Sequence, residues 1–174
     1  MIERILIAGS GGQGVILIGR TLASMAIRHV PHVTFFPSYG AEVRGGTSAC
    51  QIMLSSKQIA SPLSEKFDAM IIMNQAGCDY FIKQISKDCL LVINTSLCKT
   101  PSNHPRTLTV DATRMADALG DTRVANFIML GAYLSARPML TPQQAETGIR
   151  KMLSGKKIAL IDLNIKAFRA GLQT

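Results

Sequence analysis

Arg4-Ile5-Leu6-Ile7-Ala8-Gly9-Ser10-Gly11-Gly12-Gln13-Gly14-Val15 is the stretch on which the reading of the whole chain turns. Its first half is an unbroken apolar run, the pattern of a strand buried on both faces and central in a parallel sheet. Its second half, Gly9 to Gly14, has the form G-x-G-x-x-G. Behind it Ile16, Leu17, Leu22, Met25 and Ala26 recur at helical intervals between Gly14 and Arg28. Strand, glycine turn and helix follow one another, and His32–Phe36 adds a short strand that completes a βαβ unit. In that context Gly9, Gly11, Gly12, Gln13 and Gly14 form a tight turn whose amides, at a helix N-terminus, suit a phosphate or carboxylate.

A dinucleotide site also wants an acidic residue about 20 positions further on, where it anchors the ribose. Here the second strand runs into Phe35-Phe36-Pro37-Ser38 instead. Three readings of the turn therefore stay open: a nicotinamide or flavin site, an anion site for some other ligand, and a purely structural turn.

Working outward, Pro37 to Thr47 has no apolar period and reads as a loop long enough to carry function. It holds Ser38, Tyr39, Gly40, Ala41, Glu42, Val43, Arg44, Gly45 and Gly46. It follows a strand at the carboxyl edge of an open α/β sheet, where ligands commonly bind. Arg44 beside two glycines can offer a guanidinium next to open backbone, suited to a carboxylate, a phosphate or a partner chain. The plainer alternative is a surface loop. The two strands of a βαβ unit are neighbours, so the loop is expected beside the glycine turn.

Ser48–Leu54 and Gln58–Ala60 read as a hairpin, Phe67–Met73 and Cys89–Asn94 as buried strands, and Thr107–Val110 as another short strand. Gln75–Ile85 and Thr113–Leu119 read as helices. Asp121 or Thr122 caps a longer helix through Ala136, and Thr141-Pro142-Gln143-Gln144 is a capping box with Pro at the first helical position. A last helix places Ile161, Ile165, Phe168 and Leu172 on one face. Residues 1–174 thus read as a single Rossmann-like, three-layer α/β domain with a mostly parallel sheet and one hairpin insertion.

Composition narrows the function classes. The 174 residues are 47% hydrophobic and 17% charged, enough for one packed core and too apolar for a disordered basic chain. Aromatics are 5% with no Trp, so the core is aliphatic and stacking platforms for single-stranded nucleic acid are not expected. The net charge of +8 is scattered, nowhere denser than Arg150-Lys151 and Lys156-Lys157, which argues against nucleic acid. No apolar run approaches the ~18 residues of a membrane span, and Glu3-Arg4 does not open a signal peptide. Cys50, Cys78, Cys89 and Cys98 lack metal-ligand spacing, so reduced, cytoplasmic thiols and no iron–sulfur cluster are expected, with Cys50 a buried structural thiol. His29, His32 and His104 read as ordinary surface residues.

Several linked stretches carry a resemblance over nearly the whole chain. Gly9 to Val15, Pro37 to Gly40 with Glu42 and Arg44-Gly45-Gly46, and Ile59-Ala60-Ser61-Pro62 before Asp68 form the first group. Arg123-Val124-Ala125-Asn126 leading to Leu130-Gly131-Ala132-Tyr133, and Asn164 with Ala167-Phe168 and Gly171, form the second. Together they resemble the gamma subunit of the 2-oxoacid:ferredoxin (acceptor) oxidoreductases, in its short, stand-alone form from 2-oxoglutarate or branched-chain enzymes. Ala41 departs from the Pro common in the family after Ser-Tyr-Gly, which bears on loop rigidity and not on charge.

The resemblance implies oxidative decarboxylation of a 2-oxoacid, with 2-oxoglutarate as the expected substrate, to an acyl-CoA. Electrons pass to ferredoxin. Thiamine diphosphate, magnesium and iron–sulfur clusters are implied on alpha, beta and small ferredoxin-like sister subunits. This chain would serve assembly and, through Gly9, Gly11 to Gly14, Ser38, Tyr39, Glu42 and Arg44 to Gly46, the binding of CoA. The residues agree with that division, because the chain lacks a Gly-Asp-Gly magnesium motif and grouped Cys. The isolated chain is expected to be inactive and to self-associate through exposed apolar surface. A free-standing nucleotide-binding protein and a purely structural scaffold are the rival readings.

Overall fold

A computed structural model describes residues 2–39, 47–101 and 104–174. The opening run forms β1 (Ile2–Ser10), followed by α1 (Val15–Ala26), β2 (His32–Tyr39), β3 (Thr47–Ser55), β4 (Ala69–Ile72) and α2 (Gln75–Phe81). Then come β5 (Leu90–Asn94), β6 (Thr107–Val110), α3 (Ala112–Ala118), α4 (Ala125–Ala136), α5 (Pro142–Met152) and α6 (Ile158–Leu172). The six strands make one sheet in the order β2-β3-β1-β4-β5-β6, parallel from β1 through β6, with β3 reversed.

The sheet alternates as a strand buried on both faces must. Ile5, Ile7, Ala69, Ile71, Leu90 and Val92 point to one face, and Leu6, Ala8, Met70, Ile72, Leu91 and Ile93 to the other. The first face is covered by α1 and α4, with α5 and α6 packed beyond them, and holds the larger core. The second face is covered by the single short helix α2 and the segments beside it.

β1 and β2 are not neighbours. β3 lies between them and is antiparallel to both, pairing Ile5 with Ile52 on one side and Phe35 with Ile52 on the other. The consecutive antiparallel pair is therefore β2 with β3, not the expected hairpin of Ser48–Leu54 with Gln58–Ala60, and Gln58–Ala60 is not a strand. The reason lies in burial: β3 presents Cys50, Ile52 and Leu54 to one face and Ala49 and Met53 to the other, all buried. A strand apolar on both faces needs cover on both and partners on both edges. Residues 58–60 are too short and too exposed to serve as one.

Helix signals translate directly. Thr141 Oγ1 accepts from Gln144 N at 3.2 Å while Gln144 Oε1 accepts from Thr141 N at 2.8 Å, a complete capping box for α5. Asp121 caps a short 3₁₀ turn, Thr122–Val124, that leads into α4. Residues 125–134 of α4 are buried all round, as a helix held between the sheet and another helix must be. Its crossing with α6 is closed by two glycines: a Cβ on Gly131 would run into the carbonyl of Phe168, and one on Gly171 into that of Ile128. Tyr133, fully buried, donates its hydroxyl to Glu3 Oε1 at 2.9 Å and so ties α4 to the start of β1.

Candidate functional site at the carboxyl edge of the sheet

The turn after β1 is built from within. Gln13 N donates to Ser10 O at 3.2 Å, and Gln13 Oε1 accepts from Ser10 N at 2.8 Å, so this side chain locks the turn. Gly12 (φ 87°) and Gly14 (φ 73°) sit in the left-handed region, and Gly14 is the N-cap of α1. Gly9 is bedded against Gln13 and Met73, with no room for a Cβ.

Two residues distant in sequence complete the turn. Asn74 Nδ2 donates to Ser10 Oγ at 2.5 Å, while Asn74 Oδ1 caps α2 by accepting from Gly77 N at 2.9 Å. Asn126, buried at the start of α4, lies so close to Gly14 that a Cβ there would strike its side-chain amide. Neither Asn has a local signal marking it for this place, although Asn126 belongs to one of the stretches that carry the resemblance.

The first helical turn is open. Gly11 and Gly12 are exposed, and the amides of Gly11, Gly12, Gly14 and Val15 donate to no group among the described residues. A helix N-terminus carries about half a positive charge, so unpaired amides placed there are chemically suited to an anion.

The residues that flank 40–46 lie on β2 and β3, and only the β3 side reaches this turn. Ser38 pairs with Ala49 and Tyr39 with Ser48, while on the other side of β3 Ser48 pairs with Gly9 and Thr47 with Ser10. The arrangement differs from the expected one: β3, not β2, abuts β1, and it is Thr47 that lies beside the turn. Glu42, Arg44, Gly45 and Gly46 lie outside the described residues.

Along the same edge a polar network ties the later strands together. Asn94 Nδ2 donates to Met73 O at 3.1 Å and to Thr113 Oγ1 at 2.9 Å, and Ser96 Oγ donates to Asp111 while accepting from Thr113 N at 3.1 Å. Asp121 is bound by both the Nε and Nη2 of Arg123, which holds its carboxyl down at about 2.

The thiols are quiet. Cys50 is fully buried, its Sγ directed at Val15 O, and burial pushes it up to about 12. Cys98 is likewise pushed up to about 12 and Cys89 to about 11, and Cys78 is raised, in each case chiefly by burial. Among the described residues no three His, Cys, Asp or Glu side chains converge as a metal site would require.

The family model for pyruvate ferredoxin/flavodoxin oxidoreductase matches residues 4–174. The chain belongs to this family. It is 31% identical over 171 residues to ketoisovalerate oxidoreductase subunit VorA of Methanothermobacter thermautotrophicus, a match covering 98% of this chain and 36% of that protein. It thus spans about a third of the length of that relative. It is 30% identical to 2-oxoglutarate synthase subunit KorC of Archaeoglobus fulgidus, covering 97% of this chain and 86% of that protein. The gamma subunit of a keto/oxoacid ferredoxin oxidoreductase from Geobacter sulfurreducens superimposes with a TM-score of 0.82 at 29% identity, covering 98% and 96% of the two chains. Subunit PORC of pyruvate oxidoreductase from Thermotoga maritima shares the fold, with a TM-score of 0.80 at 24% identity over 99% of this chain and 96% of that one.

Proposed function

We propose that this member of the pyruvate ferredoxin/flavodoxin oxidoreductase family is the gamma-type unit of a multi-chain 2-oxoacid:ferredoxin oxidoreductase. The observation that carries the reading is the match of residues 4–174 to the family, together with relatives named as subunits of ketoisovalerate oxidoreductase and 2-oxoglutarate synthase. The reaction joins a 2-oxoacid and CoA to give an acyl-CoA, CO2 and one proton, and two electrons go to two ferredoxins. Of the candidate substrates, 2-oxoglutarate is the first to test.

The residues present fit one part of this chemistry. The amides of Gly11, Gly12 and Gly14 at the start of α1 suit a phosphate of CoA, and Gln13 and Asn74 keep that turn in shape. Ser38, Tyr39, Glu42, Arg44, Gly45 and Gly46 would form the facing wall, Arg44 binding a second phosphate or a carboxylate. The buried, high-lying thiols do not suit a cluster, so thiamine diphosphate, magnesium and iron–sulfur clusters are assigned to alpha, beta and ferredoxin-like sister chains. Thiamine diphosphate supplies the carbanion chemistry of decarboxylation there. No described helix is long and apolar enough to cross a membrane. We assign the complex to the cytoplasm.

Co-purification of the complex and assay against a panel of 2-oxoacids with CoA and ferredoxin tests the reading. Turnover by the complex and none by the isolated chain is the expected result. Turnover by the isolated chain, or its tight binding of NAD(P) or flavin, would overturn it.

A further inference from the structure

At the far end of α1, about 18 Å from the glycine turn at 1.5 Å per residue, lies a groove of about 840 Å³ between α1 and α5. Its origin is a close crossing: Gly148 of α5 sits on Met25 of α1, where a Cβ would strike the Met25 side chain. Beyond that contact lie the turn after α1 and the segment leading into α5. The groove has an apolar floor of Met25, Leu140 and Met152 and a basic rim of Arg28, His29 and Lys151. Ile27, also lining it, is 64% exposed.

The charge is one-sided. Among the described residues no Asp or Glu lines the groove, and the acids of α5 and α6 are engaged elsewhere: Glu146 with Arg169 at 2.6 Å, and Asp162 with Arg150 at 3.0 Å. Arg28, His29 and Lys151 form no ion pair among the described residues. Three bases over an apolar floor complement an acidic stretch bearing a large apolar side chain.

We infer that this groove docks such an acidic, apolar-anchored segment of a sister polypeptide of the oxidoreductase, at a surface separate from the glycine turn. The inference rests on the reading that the chain works within a larger assembly. A polypeptide occupant fits the family, because in the VorA relative more than half of the protein lies outside the matched stretch, so there the fold is joined to further chain.

The test is photo-crosslinking in the purified complex, with a benzophenone amino acid placed at the exposed, groove-lining Thr147. The expected product joins the benzophenone at position 147 to an Asp- and Glu-rich stretch of a sister chain. Its yield falls at least tenfold in the Arg28→Glu, Lys151→Glu double variant and survives in Arg28→Lys, Lys151→Arg. The neutral Arg28→Gln, Lys151→Gln pair lowers the yield severalfold and keeps the test alive if charge reversal impairs folding. A product with a second copy of this chain or with a basic or neutral stretch, no product, or a yield indifferent to charge reversal would overturn the inference. Loss of CoA-dependent 2-oxoacid oxidation in a complex that still cross-links as expected would instead count against the functional reading.

Discussion

The glycines of the turn at 11–14 and the glycines at 131 and 171 do opposite work. Gly131 and Gly171 are glycine because two helix backbones touch there, and any side chain would push α4 off α6. Among the described residues Gly11 has nothing within 4 Å of the place a Cβ would occupy, and it lies exposed at the mouth of a helix without a side-chain cap. Empty space beside a glycine with unpaired neighbouring amides leaves room for a ligand's approach, whereas a crowded glycine marks packing. Gly14, though part of the turn, belongs with the crowded glycines, with Asn126 against it, and its φ of 73° is a second reason for glycine there.

The largest effect should come from the packing pair. Gly171→Val forces apart a crossing that the largest core depends on, and overpacking of this kind costs about 3 kcal/mol or more. The urea midpoint should fall accordingly, and an unchanged midpoint would mean that α6 can slide to make room. Gly14→Ala comes next. The left-handed conformation costs a non-glycine residue about 1–2 kcal/mol and the contact with Asn126 adds to it, so both stability and phosphate binding should drop.

Cys50 sharpens the packing side of the comparison, because its Sγ occupies the space that Gly19 leaves by lacking a Cβ. Burial lifts the folded-state values of Cys50 and Cys98 to about 12 and of Cys89 to about 11, above the ordinary 9.0. A raised value means that the folded state holds the proton more tightly. Stability is then fully present below about pH 9 and is lost as pH rises toward 11 and 12. Urea titrations should agree at pH 7 and 8 and shift to lower urea at pH 10, and Cys50 should resist iodoacetamide at pH 8 in the folded chain.

Gly11→Ala is the smallest perturbation and the most discriminating. With open space around it the substitution should alter stability by no more than about 0.5 kcal/mol. In the assembled enzyme it should nonetheless raise the KM for CoA severalfold, because a methyl group then stands between the backbone and an approaching phosphate. An unchanged KM at unchanged stability would return the turn to a structural role.

Local chemistry made much of this molecule legible. The run Arg4 to Ala8, the glycine turn, the capping box at Thr141 and the apolar face of α6 depend on neighbours within a few residues, and each appears where its pattern places it. The positive φ of Gly12 and Gly14 and the N-terminus of α1 follow from the same short stretch.

Pairing was another matter. That Ser48–Leu54 is a strand is read from its short, mostly apolar run beside a polar turn, but its position between β1 and β2 depends on which edges remain free after the chain has folded back. Backbone hydrogen bonds are alike along any strand, so only burial on both faces chooses the partners. The same holds at the site: Asn74 is 64 residues from Ser10, and Asn126 is more than a hundred from Gly14. A single polar side chain carries no mark of the distant backbone it will meet. The sequence by itself determined the strand, the turn and the helix that bring the amides of Gly11, Gly12 and Gly14 together. Only the tertiary structure decided which distant side chains brace that turn and where a basic groove opens at the other end of the same helix, since both depend on contacts between segments far apart in the chain.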